Sequence, residues 1–180
     1  MYIRKVEIQN YRCFSKFTVP SLSQITVIIG ENESGKSSFF SALSLPLSGS
    51  DISFNQKRLK VSDINSQSIL IFYKAVIEKK PDSELVGLIP KVFVKVEIVD
   101  PKDQYEEALL QKWLTADPSG TVYEIRYDFK PKNDEDLIAA VKELLKETTS
   151  VDEARWFTFP VELFEYEVVS TNNNKQIGFN

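Results

Sequence analysis

Residues 25–38, Ile25-Thr26-Val27-Ile28-Ile29-Gly30-Glu31-Asn32-Glu33-Ser34-Gly35-Lys36-Ser37-Ser38, set the reading of the whole chain. The run Ile25 to Ile29 is continuously apolar and rich in β-branched side chains, the composition of a strand buried on both faces. It leads straight into Gly30. From Gly30 to Ser37 the chain fits G-x-x-x-x-G-K-[ST] at every fixed position. The segment that follows, KSSFFSALSLPL, predicts a helix with Phe39, Ala42 and Leu43 facing a core and Pro46 ending it. A strand, a glycine-bounded loop and a helix in that order are what a phosphate cradle needs. Gly30 and Gly35 let the backbone approach an anion closely. The N–H groups of Glu31, Asn32, Glu33 and Ser34 then converge as a nest, and the helix start adds the positive end of its dipole. In this reading Lys36 reaches the β- and γ-phosphates of a nucleotide, Ser37 gives its hydroxyl to Mg²⁺, and Ser38 donates to the α-phosphate. A glycine turn with an accidental lysine is the competing reading, and the flanking strand and helix argue against it.

Working toward the N-terminus, Ile3, Val6 and Ile8 alternate with Arg4, Lys5 and Glu7, which predicts a strand over 2–9. Phe14 to Pro20 predicts a second short strand paired with the first. With these elements in place the stretch IRKVEIQNYRCFSKFTVPSLSQITVIIGENESGKSSFFSAL resembles the start of ABC-type ATPase heads of the RecF, SMC and OLD-nuclease kind. Ile3, Ile8, Asn10, Tyr11, Arg12 and Phe14 match the opening strand-pair pattern of those heads. Gly30, Asn32, Ser34, Gly35, Lys36 and Ser37 match their phosphate loop.

That resemblance covers residues 1–45 well and carries several implications. The fold class is α/β, the N-terminal lobe of a P-loop NTPase head, with an antiparallel α+β lobe after it. Residues 1–80 form the nucleotide region and 81–180 the strand-and-helix lobe of the same head. The ligand is ATP with Mg²⁺. Asn10, Tyr11 and Arg12 lie beside it, with Arg12 approaching a phosphate or the base, a sensible task for a bidentate guanidinium. Two heads sandwich two ATP molecules, and hydrolysis moves DNA-acting parts in repair, chromosome handling or phage defence. The acidic strand, the serine-glycine signature and the switch histidine of those families come later in the chain than these residues reach. The implied protein is therefore an N-terminal portion whose C-terminal half is absent, inactive until it is completed.

The remaining chain is read more coarsely. Residues 48–65 are polar and predict a loop, with Asp63 and Asn65 at its surface. Ser66 to Lys80 predicts a helix, although Ile69-Leu70-Ile71-Phe72 leaves a strand open. Strands are predicted over 92–99 and 121–129, helices over 102–114 and 134–146, and one or two strands over 157–169 around Pro160. The tail from Ser170 is polar and loose. For the acidic metal ligand of a P-loop enzyme, Val96-Glu97-Ile98-Val99-Asp100 is the superficial candidate. Glu97 interrupts its apolar run and Pro101 follows, so Asp100 reads as a turn residue. Gln67, Gln104 and Gln176 offer no assignable magnesium sensor.

Composition bounds the rest. The 180 residues contain no histidine, which excludes histidine zinc sites and a Ser-His-Asp triad within them. Cys13 is the single cysteine, so no internal disulfide forms; with no signal-peptide pattern, the expected compartment is the cytosol. The net charge of −4 is unevenly spread. Residues 1–80 hold 11 Lys/Arg against 6 Asp/Glu, and residues 81–180 hold 11 against 20. A basic half around the phosphate loop suits contact with a nucleic acid as well as a nucleotide, and an ordinary surface is the alternative. Two other functions stay open: a stand-alone P-loop kinase or GTPase, and an ATP-sensing module that does not hydrolyse.

Overall fold

The apolar positions of the second half and of the N-terminus converge on one sheet. The computed structural model describes residues 1–48, 57–115 and 122–170. Within them the strands are β1 (Tyr2–Tyr11), β2 (Phe14–Val19), β3 (Val92–Val99), β4 (Tyr123–Pro131) and β5 (Phe164–Val169), in the order β2-β1-β3-β4-β5. Every neighbouring pair is antiparallel. The helices are α1 (Lys36–Leu47), α2 (Ser66–Ile77), α3 (Asp82–Leu88), α4 (Gln104–Leu110), α5 (Asp134–Leu144) and α6 (Val151–Ala154), with 3-10 turns at Val61–Asp63, Gln111–Trp113 and Val161–Leu163. The fold is mixed α/β.

Alternation decides which face is buried. Val6 opposes Val96, which opposes Ile125; Ile8 opposes Val94, which opposes Tyr127. All six are buried, and this face carries the core. α1 packs over β1, β3 and β4, while α2, α3, α5 and α6 pack on one another. The Phe129, Phe164 and Phe159 rings link the sheet to Phe72 and Tyr73 of α2. These are among the largest fully buried side chains, each contributing about 1.5–3 kcal/mol of burial.

The opposite face is a lattice of charge. Lys95 of β3 lies 3.3 Å from Glu7 and 3.3 Å from Glu124. Lys5 lies 2.6 Å from Glu7, and Arg4 donates to Glu97 at 3.0 Å. Burial pushes the Glu7 carboxyl up, but Lys5 and Lys95 outweigh it and hold the group below the usual carboxylate range. Asp128 goes the other way: burial raises it further than its Arg126 partner lowers it.

Several expectations are corrected. Residues 25–29 form no strand; Ile25, Val27 and Ile29 are 86%, 76% and 89% exposed, because no neighbouring strand pairs with them among the described residues. α1 does not stop before Pro46 but runs one residue past it; the proline forfeits its own bond to Ala42 O, and the helix ends at Leu47. The helix predicted over 66–80 does form, but ends at Ile77, and the strand left open there does not; the Asn65 side chain caps it by accepting from Ser68 N. α3 and α6 are short helices that the pattern missed. Of the two strands allowed over 157–169, only β5 forms, preceded by the turn Val161–Leu163. The loop residues Gly49, Ser50, Asp51 and Asn55, the start of the 121–129 strand, Gln176 and the tail from Thr171 lie outside the described residues.

Candidate nucleotide-binding site

The loop before α1 owes its shape to two left-handed residues. Glu33 has φ 65° and Gly35 has φ 92°. Ser34 N donates to Glu31 O at 3.3 Å, which closes the intervening turn. Gly35 is the N-cap of α1 and its carbonyl accepts from Phe39 N at 2.8 Å, so the helix begins immediately after it. A glycine cap brings no side-chain acceptor, and the first turn carries no acidic residue. The N–H groups at this helix start therefore have no carboxylate or hydroxyl of the cap competing for them, the state in which a helix N-terminus receives an anion.

Lys36 folds back across the loop. Its Nζ donates to Gly30 O at 2.6 Å and to Glu31 O at 2.6 Å, and reaches Ser34 Oγ at 3.4 Å. The amine thus sits at the loop's mouth, held by its rim. Gly35 is required by its left-handed backbone, while the space at Gly30 is closed by a serine side chain that can rotate. A Cβ on Gly30 would lie 2.6 Å from Ser34 Oγ, and one on Gly35 would lie 3.0 Å from Cys13 Sγ and 3.3 Å from the Phe14 ring. Glu31, Asn32, Glu33, Ser34 and Ser37 are exposed and Ser38 half-buried, so the hydroxyls of Ser37 and Ser38 lie on the first turn beside the loop. This donor set (a glycine cradle, a lysine, an exposed serine hydroxyl and an uncapped helix start) fits a nucleotide phosphate with a hard cation. Beside Gly30 and Lys36 opens an apolar cavity of about 420 Å³, walled by Phe14, Phe17, Val27, Ile29 and Phe39.

Asn10 and Arg12 flank Tyr11, and both are left-handed, with φ 55° and 46°. The Asn10 amide donates to Lys91 O at 2.8 Å, and its carbonyl oxygen accepts from Ser68 Oγ at 2.7 Å. Arg12 stacks over the Tyr11 ring at 5.2 Å; its Nε donates to Asp63 Oδ1 at 3.0 Å, and Nη1 reaches Ser41 Oγ of α1 at 3.5 Å. The β1–β2 turn is clamped from the other side by Asn65, whose Nδ2 donates to Arg12 O at 2.7 Å and whose N donates to Asn10 O at 2.9 Å.

Asp63 and Asn65 were expected at the surface, and this is corrected: Asn65 is 6% exposed and Asp63 is committed to Arg12. Asn65 was detectable as an N-cap residue before an apolar run; no local signal marks Asp63. Asp100 is an exposed residue at φ 52° following β3, as its flanking proline implied. Among the described residues no group of three or more His, Cys, Asp or Glu is placed to hold a metal ion, and no helix is long and apolar enough to cross a membrane.

The family model described as AAA ATPase domain matches residues 1–177. None of the curated proteins matches the chain.

Proposed function

This chain belongs to the AAA ATPase domain family and is an ATP-binding ATPase part, and on that footing we propose that it binds ATP with Mg²⁺ at residues 30–38 as the N-terminal portion of an ABC-type head acting on DNA. The observation that carries the reading is the uncapped start of α1 at Gly35, with the Lys36 amine folded over the loop in front of it. In this scheme the loop N–H groups and Lys36 hold the β- and γ-phosphates, and Ser38 the α-phosphate. Ser37 provides a hydroxyl ligand to the metal. Asn10 and Arg12 stand on the β1–β2 turn beside α1. Bound Mg²⁺ would neutralise charge across the β- and γ-oxygens.

The exposed run Ile25–Ile29 and the apolar cavity it walls support a further element of the proposal. An apolar β-branched segment in water, next to a phosphate loop, is a surface that asks for a covering strand. We assign that role to the remaining elements of the head, which would also bring the acidic residue for hydrolysis and a second head for dimerisation. The excess of cations in residues 1–80 supports a DNA partner. The single cysteine supports a reducing, cytoplasmic setting.

The test is ATP binding and turnover with Mg²⁺, wild type against Lys36→Ala. Binding that is lost in the variant, with negligible turnover in both, supports the proposal. Turnover by this chain alone that Lys36→Ala abolishes refutes the incomplete-head part and leaves the phosphate loop standing. Absence of nucleotide binding by the folded wild type refutes both.

A further inference from the structure

Asp63 lies 51 residues from Arg12 in sequence, yet it holds that arginine twice. The backbone N–H of Arg12 donates to Asp63 O at 2.8 Å. The Asp63 carboxylate accepts from Arg12 Nε at 3.0 Å and lies 3.0 Å from Nη2. The same carboxylate, through Oδ2, accepts from Lys60 N at 3.0 Å and so closes the 3-10 turn on which it stands. Its own position is therefore fixed from behind.

The consequence falls on α1. With Nε and Nη2 occupied, Nη1 is directed to Ser41 Oγ at 3.5 Å. Ser41 is one turn after Ser37 on the same helical face. A guanidinium held there stands on the flank of the helix whose first turn carries the phosphate and metal donors. A freely rotating Arg12 would lose about four side-chain torsions on meeting a phosphate, an entropic cost among the largest of any side chain. The clamp removes that cost beforehand. It also holds Arg12 at φ 46°, a conformation that a non-glycine residue keeps only when its surroundings over-determine it.

We infer that Asp63 is a positioning residue of the nucleotide site, acting through Arg12: it orients the guanidinium along α1 so that the arginine meets the phosphates of ATP already in place. The inference rests on the proposed ATP site at residues 30–38. It also fixes a direction that simple charge counting reverses. A carboxylate beside a phosphate site should weaken anion binding; here removing it weakens binding, because what is lost is the placement of a cation.

The experiment measures the ATP dissociation constant with Mg²⁺ for wild type, Asp63→Asn, Arg12→Ala and the double variant, with ADP in parallel and a thermal melt of each. Asp63→Asn keeps the side-chain shape and an acceptor for Lys60 N, so it retains the fold even where Asp63→Ala does not. Expected are a roughly tenfold weaker ATP affinity in each single variant and a double variant no weaker than Arg12→Ala alone. A smaller loss for ADP than for ATP marks the effect as a phosphate contact and not general loosening. Affinity that is unchanged or tighter in Asp63→Asn overturns the inference, as do losses that multiply in the double variant. If the folded wild type itself binds no ATP, the site reading fails first, and this inference goes with it.

Discussion

Gly35→Ala isolates the geometry on which the phosphate loop depends. The residue sits at φ 92°, ψ 2°, and an added Cβ would stand 3.0 Å from Cys13 Sγ and 3.3 Å from Phe14 Cζ. Two penalties add. A left-handed alanine costs about 1–2 kcal/mol, and pressing a methyl group into occupied space costs about 1–3 kcal/mol. The expected destabilisation is about 3 kcal/mol. It is read from urea denaturation followed by circular dichroism, as a lower midpoint at unchanged slope. The two contributions separate in a Cys13→Ala background. There the closest contact is gone, and the cost of Gly35→Ala falls toward about 2 kcal/mol, the remainder being backbone strain and the Phe14 ring. ATP binding, measured where both proteins are folded, weakens more than tenfold, because the helix start turns away from the loop. A Gly35→Ala protein within about 0.5 kcal/mol of wild type would refute the left-handed cap. So would a cost indifferent to Cys13→Ala, which would remove the contact between the β1–β2 turn and the loop.

Two further perturbations follow from burial. Tyr73 is fully buried, its hydroxyl meets no hydrogen-bond partner among the described residues, and burial pushes it up to about 12 from 10. Tyr73→Phe is therefore expected to stabilise the protein at neutral pH by about 1 kcal/mol, since an unsatisfied buried hydroxyl is removed. The unfolded chain releases this proton near pH 10 while the folded chain keeps it to about pH 12, so wild-type stability falls across that window. Tyr73→Phe makes the fall shallower, which a series of denaturation curves from pH 8 to 12 would show; an identical alkaline limb would refute the assignment. Val27→Lys with Ile29→Lys, at positions 76% and 89% exposed, should shift stability by no more than about 0.5 kcal/mol. The same pair should abolish association with the elements proposed to cover residues 25–29, as measured by size-exclusion chromatography of the mixed proteins.

How much was legible depended on whether a segment's partners are near it. β1, β3 and α5 are legible from periodicity, because each presents an apolar face to the core. Residues 25–29 were misread for the same physical reason: a run apolar on both sides announces that it wants burial, and periodicity does not say where the cover comes from. Ile69 to Phe72 satisfied either period, and the Asn65 cap decided for helix. At the site, the positions of Gly30, Gly35, Lys36, Ser37 and Ser38 follow from one short motif. Asp63 and Asn65 were invisible as partners of Arg12 because their contacts span 51 and 53 residues, and no local pattern encodes such a distance.

The strand order carries a consequence for how the molecule is made. β1 pairs with β2 across a two-residue turn, but its other edge waits for β3, with Tyr2 opposite Val99. The second edge of β1 cannot be paired until about 60 residues beyond Ser37 have been synthesised. At roughly 5–20 residues per second that is roughly 3 to 12 s. Throughout this interval the phosphate loop and its apolar neighbour Ile25–Ile29 have only the β1–β2 hairpin as a folded partner. Closure over so long a separation is also entropically slow. Nucleotide competence thus arrives as a late event in biosynthesis, after a stage in which a short hairpin carries an exposed apolar segment.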